Sequence, residues 1–376
     1  MTNPESLLKA FVPYPNADSG DVRRFIAEGV HPHVKSEDAH LDEDGNLIAR
    51  LGPEPTPETS PFYICAYAQD FGPGNQEDPY EPKVVDGSPH GQGGDCLWGR
   101  GNCEHRGALA SALAAFNTLI GSDTHFKRPL YFLVLTTGES GHHRVIDAAL
   151  KKNSLPVGDA VIARGTGNRI CLGNKGSLLA RIEVYGKSYH PSNPAKALNA
   201  IDGAEEALRR LREYASAHPV QDEDLGDSVL VPIGLESFPK GPIIPDRCEI
   251  EISGRLVPGQ DPERLIAGLR EALHLPDGFK SEVILERFHY AAKVPPGHLL
   301  ASVAEEAVRE AETDPSPIYM HASLDAGWFR HQGRAAISLG PGAPELAHSA
   351  YDMVSIQEIK DGSRIYFSLY RKLAAA

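Results

Sequence analysis

The sequence predicts an α/β protein with a mostly parallel sheet, into which a smaller α+β domain is inserted. Strands and helices alternate over residues 60–152, which is typical of a sheet built from βαβ units. Over residues 177–290 the strands instead alternate apolar and polar positions, as in a sheet with one solvated face. A chain of 376 residues is also too long for one ordinary core. We therefore predict a first domain at 1–176 and 291–376 and an inserted domain at 177–290.

The first domain begins with a strand and a long loop. The β-rich run PFYICAYA at 61–68 precedes a polar stretch at 70–96, whose many Gly and Pro residues predict a loop. Apolar residues recur at helical spacing over 106–120, where Ala and Leu dominate. The continuous apolar run PLYFLVLTT at 129–137 predicts a strand covered on both faces, and HHRVIDAALKK at 142–152 predicts the next helix.

The inserted domain has its own order of strands and helices. Its predicted strands are LLARIEVYGKSY, DRCEIEISGRLVPG and SEVILERF, and its predicted amphipathic helices are PAKALNAIDGAEEALRRLREYASA and DPERLIAGLREAL. This order predicts one sheet with two helices on one face. After the linker AAKVPPG, a helix (HLLASVAEEAVREAE), a strand (RAAISLG) and a helix (SIQEIKDGSRIYFSLYRKL) return to the pattern of the first domain.

Charge and composition exclude several classes of protein. The formal net charge of −14 argues against nucleic-acid partners, because no basic stripe is present to contact phosphates. No apolar run approaches the roughly 18 residues of a membrane span, and the start MTNPESLLKAF lacks the features of a signal peptide, so we expect a cytoplasmic protein. The five cysteines are scattered without a CxxC pair, which argues against a disulfide scaffold or a cysteine-based zinc site.

Four chemically active residues follow the predicted parallel strands. Ligands bind at the carboxyl ends of strands in such sheets. The loops that reach this edge contain Asp70, Glu139, Arg164 and His348. Glu139 stands directly after a buried strand and before a helix, so we expect it to take part in chemistry or metal binding.

Four segments, in order, resemble one family of enzymes. They are LWGRGNCEHRGALASALAAF, LGNKGSLLARIEVYGKSYHPSNPAKALNAI, ISGRLVPGQDPERL and SLDAGWFRHQGRAAISLGPGAPELAHSAYDMV. On these motifs the chain resembles the zinc amidohydrolases that include acetylornithine deacetylase, succinyl-diaminopimelate desuccinylase, aminoacylase and carboxypeptidase G. The resemblance covers nearly the whole length. It implies a catalytic domain of the zinc-peptidase type and an inserted lid domain at 177–290.

The resemblance implies roles for three lid residues. His190 matches a histidine that polarises the scissile carbonyl, often from the partner subunit, and Asn199 follows it in the same motif. Arg255 matches a substrate-facing arginine. The alternatives are a surface histidine at 190 and a salt bridge between Arg255 and a neighbour such as Glu249 or Glu251. Members of the family commonly form homodimers through the lid, and the edge strand of the lid sheet offers a pairing surface.

The first metal-binding motif of the family, His-x-Asp, is not preserved. The matching segment is CAYAQD, which supplies Tyr67 and Gln69 in one register and Ala68 and Asp70 in the other. Neither register contains the histidine. We therefore carry Tyr67 and Asp70 as substrate-binding candidates rather than as metal ligands.

The remaining metal positions are changed in part. The bridging aspartate becomes Glu104, and a Glu-Glu pair, whose first member is the general base of the family, becomes Gly138-Glu139. A later carboxylate becomes Arg164. Only Glu139 and His348 match the family pattern.

What remains is enough for one metal ion at most. Zinc takes three or four N, O or S ligands, and Glu104, Glu139 and His348 offer three. Glu139 and His142 also form Glu-x-x-His, a spacing used in metal sites, although His142 is equally a polar residue of a first helical turn. A permanent cation at Arg164 opposes metal binding. Arg164 instead pairs with Glu139 or Glu104, or binds a substrate carboxylate. The expected cofactor is no metal or a single zinc.

Three functions stay open on the sequence. The first is a divergent amidohydrolase that acts on the amide of a small N-acyl amino acid or dipeptide-like substrate. The second is a metal-independent enzyme on the same scaffold, for amide formation, cyclisation or another acyl or proton transfer. The third is a non-catalytic protein that binds an amino-acid-like ligand. The number of polar residues retained at the matched positions favours an enzyme, with Glu104, Glu139, His190 and His348 as catalytic candidates.

Overall fold

The protein consists of two compact units, and they correspond to two separate hydrophobic cores. The computed structural model describes residues 2–15, 19–56, 59–69, 72–138, 141–276 and 278–375. The first unit comprises Met1–Gly173, Lys293–Tyr319 and Trp328–Ala376, and the second comprises Asn174–Ala292 and Met320–Gly327.

The longer helices in the described ranges are amphipathic, apart from one that is buried almost all round. In chain order they are α1 (Pro4–Phe11), α2 (Ser19–Arg24), α3 (Gly107–Ile120), α4 (Arg144–Lys152), α5 (Ala200–Ala217), α6 (Pro262–Ala272), α7 (Leu299–Glu310), α8 (Ala326–His331) and α9 (Ile356–Ala375). Buried π-helical turns also occur at Phe25–Val30 and Asn102–Arg106. None of the helices in the described ranges is both long and apolar enough to span a lipid bilayer.

The strands form two main sheets and two small ones. In chain order they are β1 (His40–Leu41), β2 (Leu47–Leu51), β3 (Phe62–Tyr67), β4 (Lys83–Asp86), β5 (Asp95–Trp98), β6 (Leu130–Leu135), β7 (Asp159–Ala163), β8 (Cys171–Asn174), β9 (Gly176–Tyr185), β10 (Gln221–Asp222), β11 (Gly226–Asp227), β12 (Val229–Phe238), β13 (Arg247–Leu256), β14 (Lys280–His289), β15 (Ala292–Lys293), β16 (Ile318–Met320), β17 (Ala336–Leu339) and β18 (Met353–Ser355).

The large sheet is mixed, with a parallel centre. Its order is β1-β2-β6-β3-β7-β17-β8-β15, and β16 pairs with β8. The four central strands, from β6 to β17, are parallel, whereas β2 is antiparallel to β6 and β8 is antiparallel to β17. The predicted α/β class with a separate small domain is confirmed, and the antiparallel edges are what the sequence did not indicate.

The sequence of the first unit explains how its core is packed. Every residue of β3 and β6 is buried, as their continuous apolar runs predict. The small alanines of α3 allow that helix to be buried almost all round, and Phe116 stacks on Phe132 of β6 with ring centroids 5.2 Å apart. Helices α1, α3, α7 and α9 contribute to this one core.

The second unit is a four-stranded antiparallel sheet with two helices on one face. The strand order is β12-β13-β9-β14. Apolar residues of β9 and β13 pack with the buried stripes of α5 and α6. On the other face, Arg181 forms ion pairs with Glu183 and Glu249. The sheet therefore has one apolar and one polar face, as the alternating pattern predicts.

A small sheet, in the order β18-β5-β4, takes β4 and the start of β5 from the segment that the sequence predicts as loop 70–96. Strand β5 pairs antiparallel with β18, and Trp98 lies opposite Met353. The interpretation of 70–96 as one loop was therefore wrong, because β4 and β5 are short and their apolar residues are few. This pairing brings residues 99–104 next to the segment that precedes β18.

Candidate active site

The candidate site lies at the carboxyl edge of the parallel strands in the first unit. Tyr67 ends β3, and Arg164 follows directly after β7. In the parallel register Tyr67 lies opposite Leu135 of β6, three residues before Gly138, and Ala66 lies opposite Ala163. This edge is where ligands bind in such sheets.

A π-helical turn presents Glu104 to this edge. The turn begins after Gly101, whose φ of 77° is accessible to glycine at little cost, and it leads into α3. Such turns are rare and occur often at functional sites. The backbone amide of Gly165, next to Arg164, donates to the carbonyl of Glu104 at 2.7 Å. The π-helical turn and the end of β7 are therefore held together beside the Glu104 side chain.

The Glu104 carboxylate joins Arg164 and His348. Nη2 of Arg164 donates to Oε1 at 3.0 Å, and Nε2 of His348 lies 3.0 Å from Oε2. The side chains of Glu104 and Arg164 are 9% and 4% exposed, whereas that of His348 is 51% exposed. The structure thus brings three predicted site residues together, and Glu104 is a partner of Arg164. Glu139, the other predicted partner, lies outside the described residues.

Glu104 is a carboxylate because of neighbouring charges, and His105 is a neutral imidazole because of its burial. Burial favours the protonated form of Glu104, but His105, Arg164 and His348 outweigh it and hold its pKa below the usual value. Burial lowers the pKa of His105 to about 4. Nδ1 of His105 lies 3.2 Å from the carbonyl of Gln69, which only accepts, so Nδ1 carries the ring proton.

Tyr67 fills the space beside Gly138. A Cβ atom at position 138 would lie 2.5–2.6 Å from Cγ, Cδ1 and Cδ2 of the Tyr67 ring, far inside van der Waals contact. Tyr67 has no exposed surface, and its ring also meets His105 edge-on at 5.3 Å. Tyr67, predicted as a substrate contact, therefore packs at the place from which a side chain at 138 would start.

Three histidines near this edge have left-handed backbone conformations. The φ angles are 62° for His142, 52° for His143 and 62° for His348. Non-glycine residues seldom adopt this conformation, and where they do they concentrate at functional sites. His142, a metal candidate, is half-buried in the 3-10 turn before α4. Asp70, like Glu139, lies outside the described residues.

The lid candidates belong to the second unit. His190 is exposed, and the amide of Ser192 donates to its Nδ1 at 3.2 Å. Asn199 caps α5 by accepting from the amide of Ile201 at 3.2 Å. Arg255 is exposed on β13, and its guanidinium donates to the carbonyl of Gly254.

Metal ligands are not grouped in the described part of the site. Across the described ranges, no set of three or more His, Cys, Asp or Glu side chains is arranged to hold a metal ion.

Asp352 is a polar residue of the site that sequence reasoning missed. It is buried, and it accepts hydrogen bonds from the amides of Gly101 and Cys103, on either side of position 102 in the turn that carries Glu104. These partners are about 250 positions away in sequence, and no local pattern signals a contact over that separation.

Comparison with known proteins gives consistent matches. Residues 172–276 match the family model of the peptidase dimerisation domain. The chain is 27% identical over 279 residues to an acetylornithine deacetylase of Myxococcus xanthus, with 70% of this chain and 69% of the relative covered. It is 23% identical over 336 residues to a succinyl-diaminopimelate desuccinylase of Hydrogenovibrio crunogenus, with 85% of each covered. The predicted resemblance to these two enzyme classes is confirmed.

Solved structures share the fold along the whole chain. An M20 family metallo-carboxypeptidase of Sulfolobus solfataricus has a TM-score of 0.76 at 17% identity, with 100% of both chains covered. A dinuclear metal-binding peptidase of the M20 family from Bacillus subtilis has a TM-score of 0.68 at 14% identity, with 99% of this chain and 98% of the other covered.

Proposed function

Because the chain belongs to the M20 peptidase family with its dimerisation domain, we propose that it is an amidohydrolase for a small N-acyl amino acid or dipeptide-like substrate. The related deacetylase and desuccinylase, by their names, remove acyl groups. The observation that carries the proposal is the Glu104 carboxylate shared between Arg164 and His348. The pair of Glu104 and His348 offers a base, the His348 imidazole, where position 138 supplies none.

Glu104 and His348 can act as a carboxylate–histidine pair. If Nε2–H of His348 donates to Glu104, the basic nitrogen of the neutral ring is Nδ1. We propose that Nδ1 takes a proton from water as its oxygen adds to the amide carbonyl. The same proton then passes to the leaving nitrogen as the C–N bond breaks, which yields a carboxylic acid and an amine. Arg164 keeps Glu104 ionised and in place.

Two lid residues are proposed to bind the substrate. Since a backbone amide donates to Nδ1 of His190, the ring proton of the neutral form is on Nε2. An exposed Nε2–H can donate a hydrogen bond to the substrate carbonyl oxygen as that oxygen gains negative charge. Arg255, exposed with a planar guanidinium, suits the substrate carboxylate. The role of Asn199 is proposed to be indirect, because its side chain caps α5.

The described residues do not fit a two-metal centre, and we therefore propose chemistry without one. A bridging carboxylate gives one oxygen to each metal, yet Oε1 of Glu104 bonds a buried guanidinium and Oε2 faces His348. Two unit charges of one sign at 4 Å repel by about 4 kcal/mol near a protein surface. The repulsion between a divalent ion and the guanidinium of Arg164 at the same distance is larger. Of our two expectations, no metal or a single zinc, we therefore propose the first.

A homodimer through the second unit is proposed from β12. This strand is an edge of its sheet, and Val229, Val231, Ile233 and Leu235 on it are 43%, 43%, 56% and 54% exposed. An edge strand with a row of exposed apolar side chains is a pairing surface. The match of this region to a dimerisation domain supports a second copy of the chain as the partner.

Hydrolysis assays on purified protein test the function. N-acetyl and N-succinyl amino acids are incubated with protein of measured metal content, with and without chelator, and the released amine is quantified. We expect turnover that chelator does not reduce and that His348→Asn abolishes. His125→Asn, an exposed histidine of the same unit, is the matched control.

Other outcomes would redirect the proposal. Two zinc ions per chain together with loss of turnover in chelator would contradict metal-free chemistry. Binding of these substrates without any release of amine would identify a non-catalytic binding protein instead.

A further inference from the structure

Glu104 and His348 meet only if two separate chain segments are held in register. Glu104 is in the turn after β5, and His348 is in the loop before β18. The antiparallel pairing of β5 with β18 aligns the strands, with Trp98 opposite Met353. The catalytic side chains lie beyond this pairing, so further contacts must fix their separation.

Besides the bond from the Gly99 amide to the Asp352 carbonyl, three hydrogen bonds connect the two segments beyond the strands. The carboxylate of Asp352 accepts from the amide of Gly101 through Oδ2 at 2.6 Å and from the amide of Cys103 through Oδ1 at 2.9 Å. Nη1 of Arg100 donates to the carbonyl of Ser349, the residue after His348, at 3.0 Å. We call these three bonds the brace. They span residues 100–103 on one segment and 349–352 on the other.

The brace is buried and needs a carboxylate. Arg100 and Asp352 are 3% and 2% exposed. Both carboxylate oxygens accept from backbone amides, which can only donate. An asparagine would offer one oxygen and one NH2 group, so one amide would face another donor. The backbone carbonyl of Asp352 is also occupied, because it accepts from Gly99 and from the side chain of Gln76.

We propose that Asp352 is a positioning residue that sets the distance between Glu104 and His348, an inference that rests on the proposed function. Asp352 acts through backbone amides: it holds the turn that carries Glu104 to the segment that follows His348. Misplacement of a catalytic group by about 1 Å can lower a rate about a hundredfold. The brace therefore controls the catalytic step rather than substrate affinity.

The isosteric variant Asp352→Asn tests this role. We expect kcat to fall about tenfold to a hundredfold with KM unchanged. The matched control is Asp159→Asn, which also loses a carboxylate acceptor of a backbone amide, that of Ala335, in the same unit. Its kcat should stay within about twofold of wild type, because Asp159 has no contact with either catalytic segment.

A second readout separates this inference from the proposed function. In protein labelled with 15N-histidine, the Nε2 proton of His348 bonded to Glu104 gives a signal, assigned by its loss in His348→Asn. This signal should be present in wild type and in Asp159→Asn and weakened or absent in Asp352→Asn, whether or not hydrolysis is detected. If wild type shows the signal without hydrolysis, the proposed function fails while Asp352 is still tested.

Two results would overturn the positioning role. One is an unchanged His348 signal together with unchanged kcat in folded Asp352→Asn. The other concerns Arg100→Met, which removes the guanidinium and its bond to Ser349 but keeps the Asp352 carboxylate, and which serves if Asp352→Asn does not fold. A wild-type kcat and an unchanged His348 signal in that variant would show that the brace does not set the catalytic geometry.

Discussion

The charge of Glu104 depends on its three neighbours. Burial alone would favour the neutral acid, yet Arg164 and the two histidines keep its pKa low. Removing one partner of a buried ion pair costs about 3–5 kcal/mol, because the other charge is left without compensation. Glu104 and Arg164 are therefore expected to be important for folding as well as for chemistry, and variants of either must be checked for stability.

His105 should make stability depend on pH. Its pKa is about 4 in the folded protein and 6.5 in its ordinary state, so between these values the unfolded chain binds a proton that the folded chain does not. Unfolding free energy should thus fall as the pH drops from 6.5 to 4, by up to about 3 kcal/mol. Urea unfolding at pH 7 and pH 4.5 measures this. The decrease should be smaller in His105→Gln and unchanged in His125→Gln; equal decreases in both variants would contradict it.

Tyr67 and Gly138 should be energetically coupled. Gly138→Ala places a Cβ within 2.6 Å of three ring atoms and should cost about 1–3 kcal/mol. In a Tyr67→Ala background the same change should cost much less, because the ring is gone. A double-mutant cycle measured by urea unfolding gives the coupling. Gly121→Ala, where a Cβ meets nothing within 4 Å, is the control. Additive effects would show that Tyr67 does not fill this space.

Two short elements place Glu104 and His348, the proposed catalytic pair. The π-helical turn before α3 directs Glu104 to the strand ends, and the three-stranded sheet aligns that turn with the loop that carries His348. Neither element is signalled in the sequence. The turn runs directly into the Ala-rich helix α3, and no residue pattern marks the change of helix type. Strands β4 and β5 have few apolar residues between many Gly and Pro.

The edge strand β12 should decide oligomeric state. Ile233→Asp puts a charge into the exposed apolar row and should convert a dimer into a monomer. Light scattering after gel filtration measures the mass. Leu299→Asp, which changes an equally exposed leucine at the start of α7 in the first unit, should remain a dimer. A wild-type protein that is already monomeric at micromolar concentration would contradict this assignment.

Fold and site were predictable to different extents. Hydrophobic periodicity was sufficient to predict the fold class, because long strands and helices repeat one local pattern many times. The order of the motifs pointed to Glu104, Arg164 and His348, which are in contact. The packing of Tyr67 on Gly138 and the bonds of Asp352 join residues about 70 and 250 positions apart. Such contacts depend on tertiary structure, and local patterns do not contain them.

Zinc should not stabilise the folded protein against unfolding. A ligand that binds only the folded state raises its stability, by about 2.7 kcal/mol at a hundred times Kd. The unfolding midpoint of wild type should therefore be the same with zinc and with chelator. Arg164→Glu, which replaces the cation by a carboxylate, should gain stability from zinc if the guanidinium is the obstacle. A zinc-dependent midpoint in wild type would contradict metal-free chemistry.

The packing of the Tyr67 ring against Gly138 also limits which substitutions this protein can accept one at a time. A glutamate at 138 cannot enter while the tyrosine ring is there, and a histidine at 67 gains no catalytic partner while 138 is glycine. In the register that places Tyr67 at the family histidine, each single step towards the family pattern is thus unfavourable or without benefit. Laboratory evolution from this chain towards a dinuclear peptidase should succeed only with libraries that vary both codons at once.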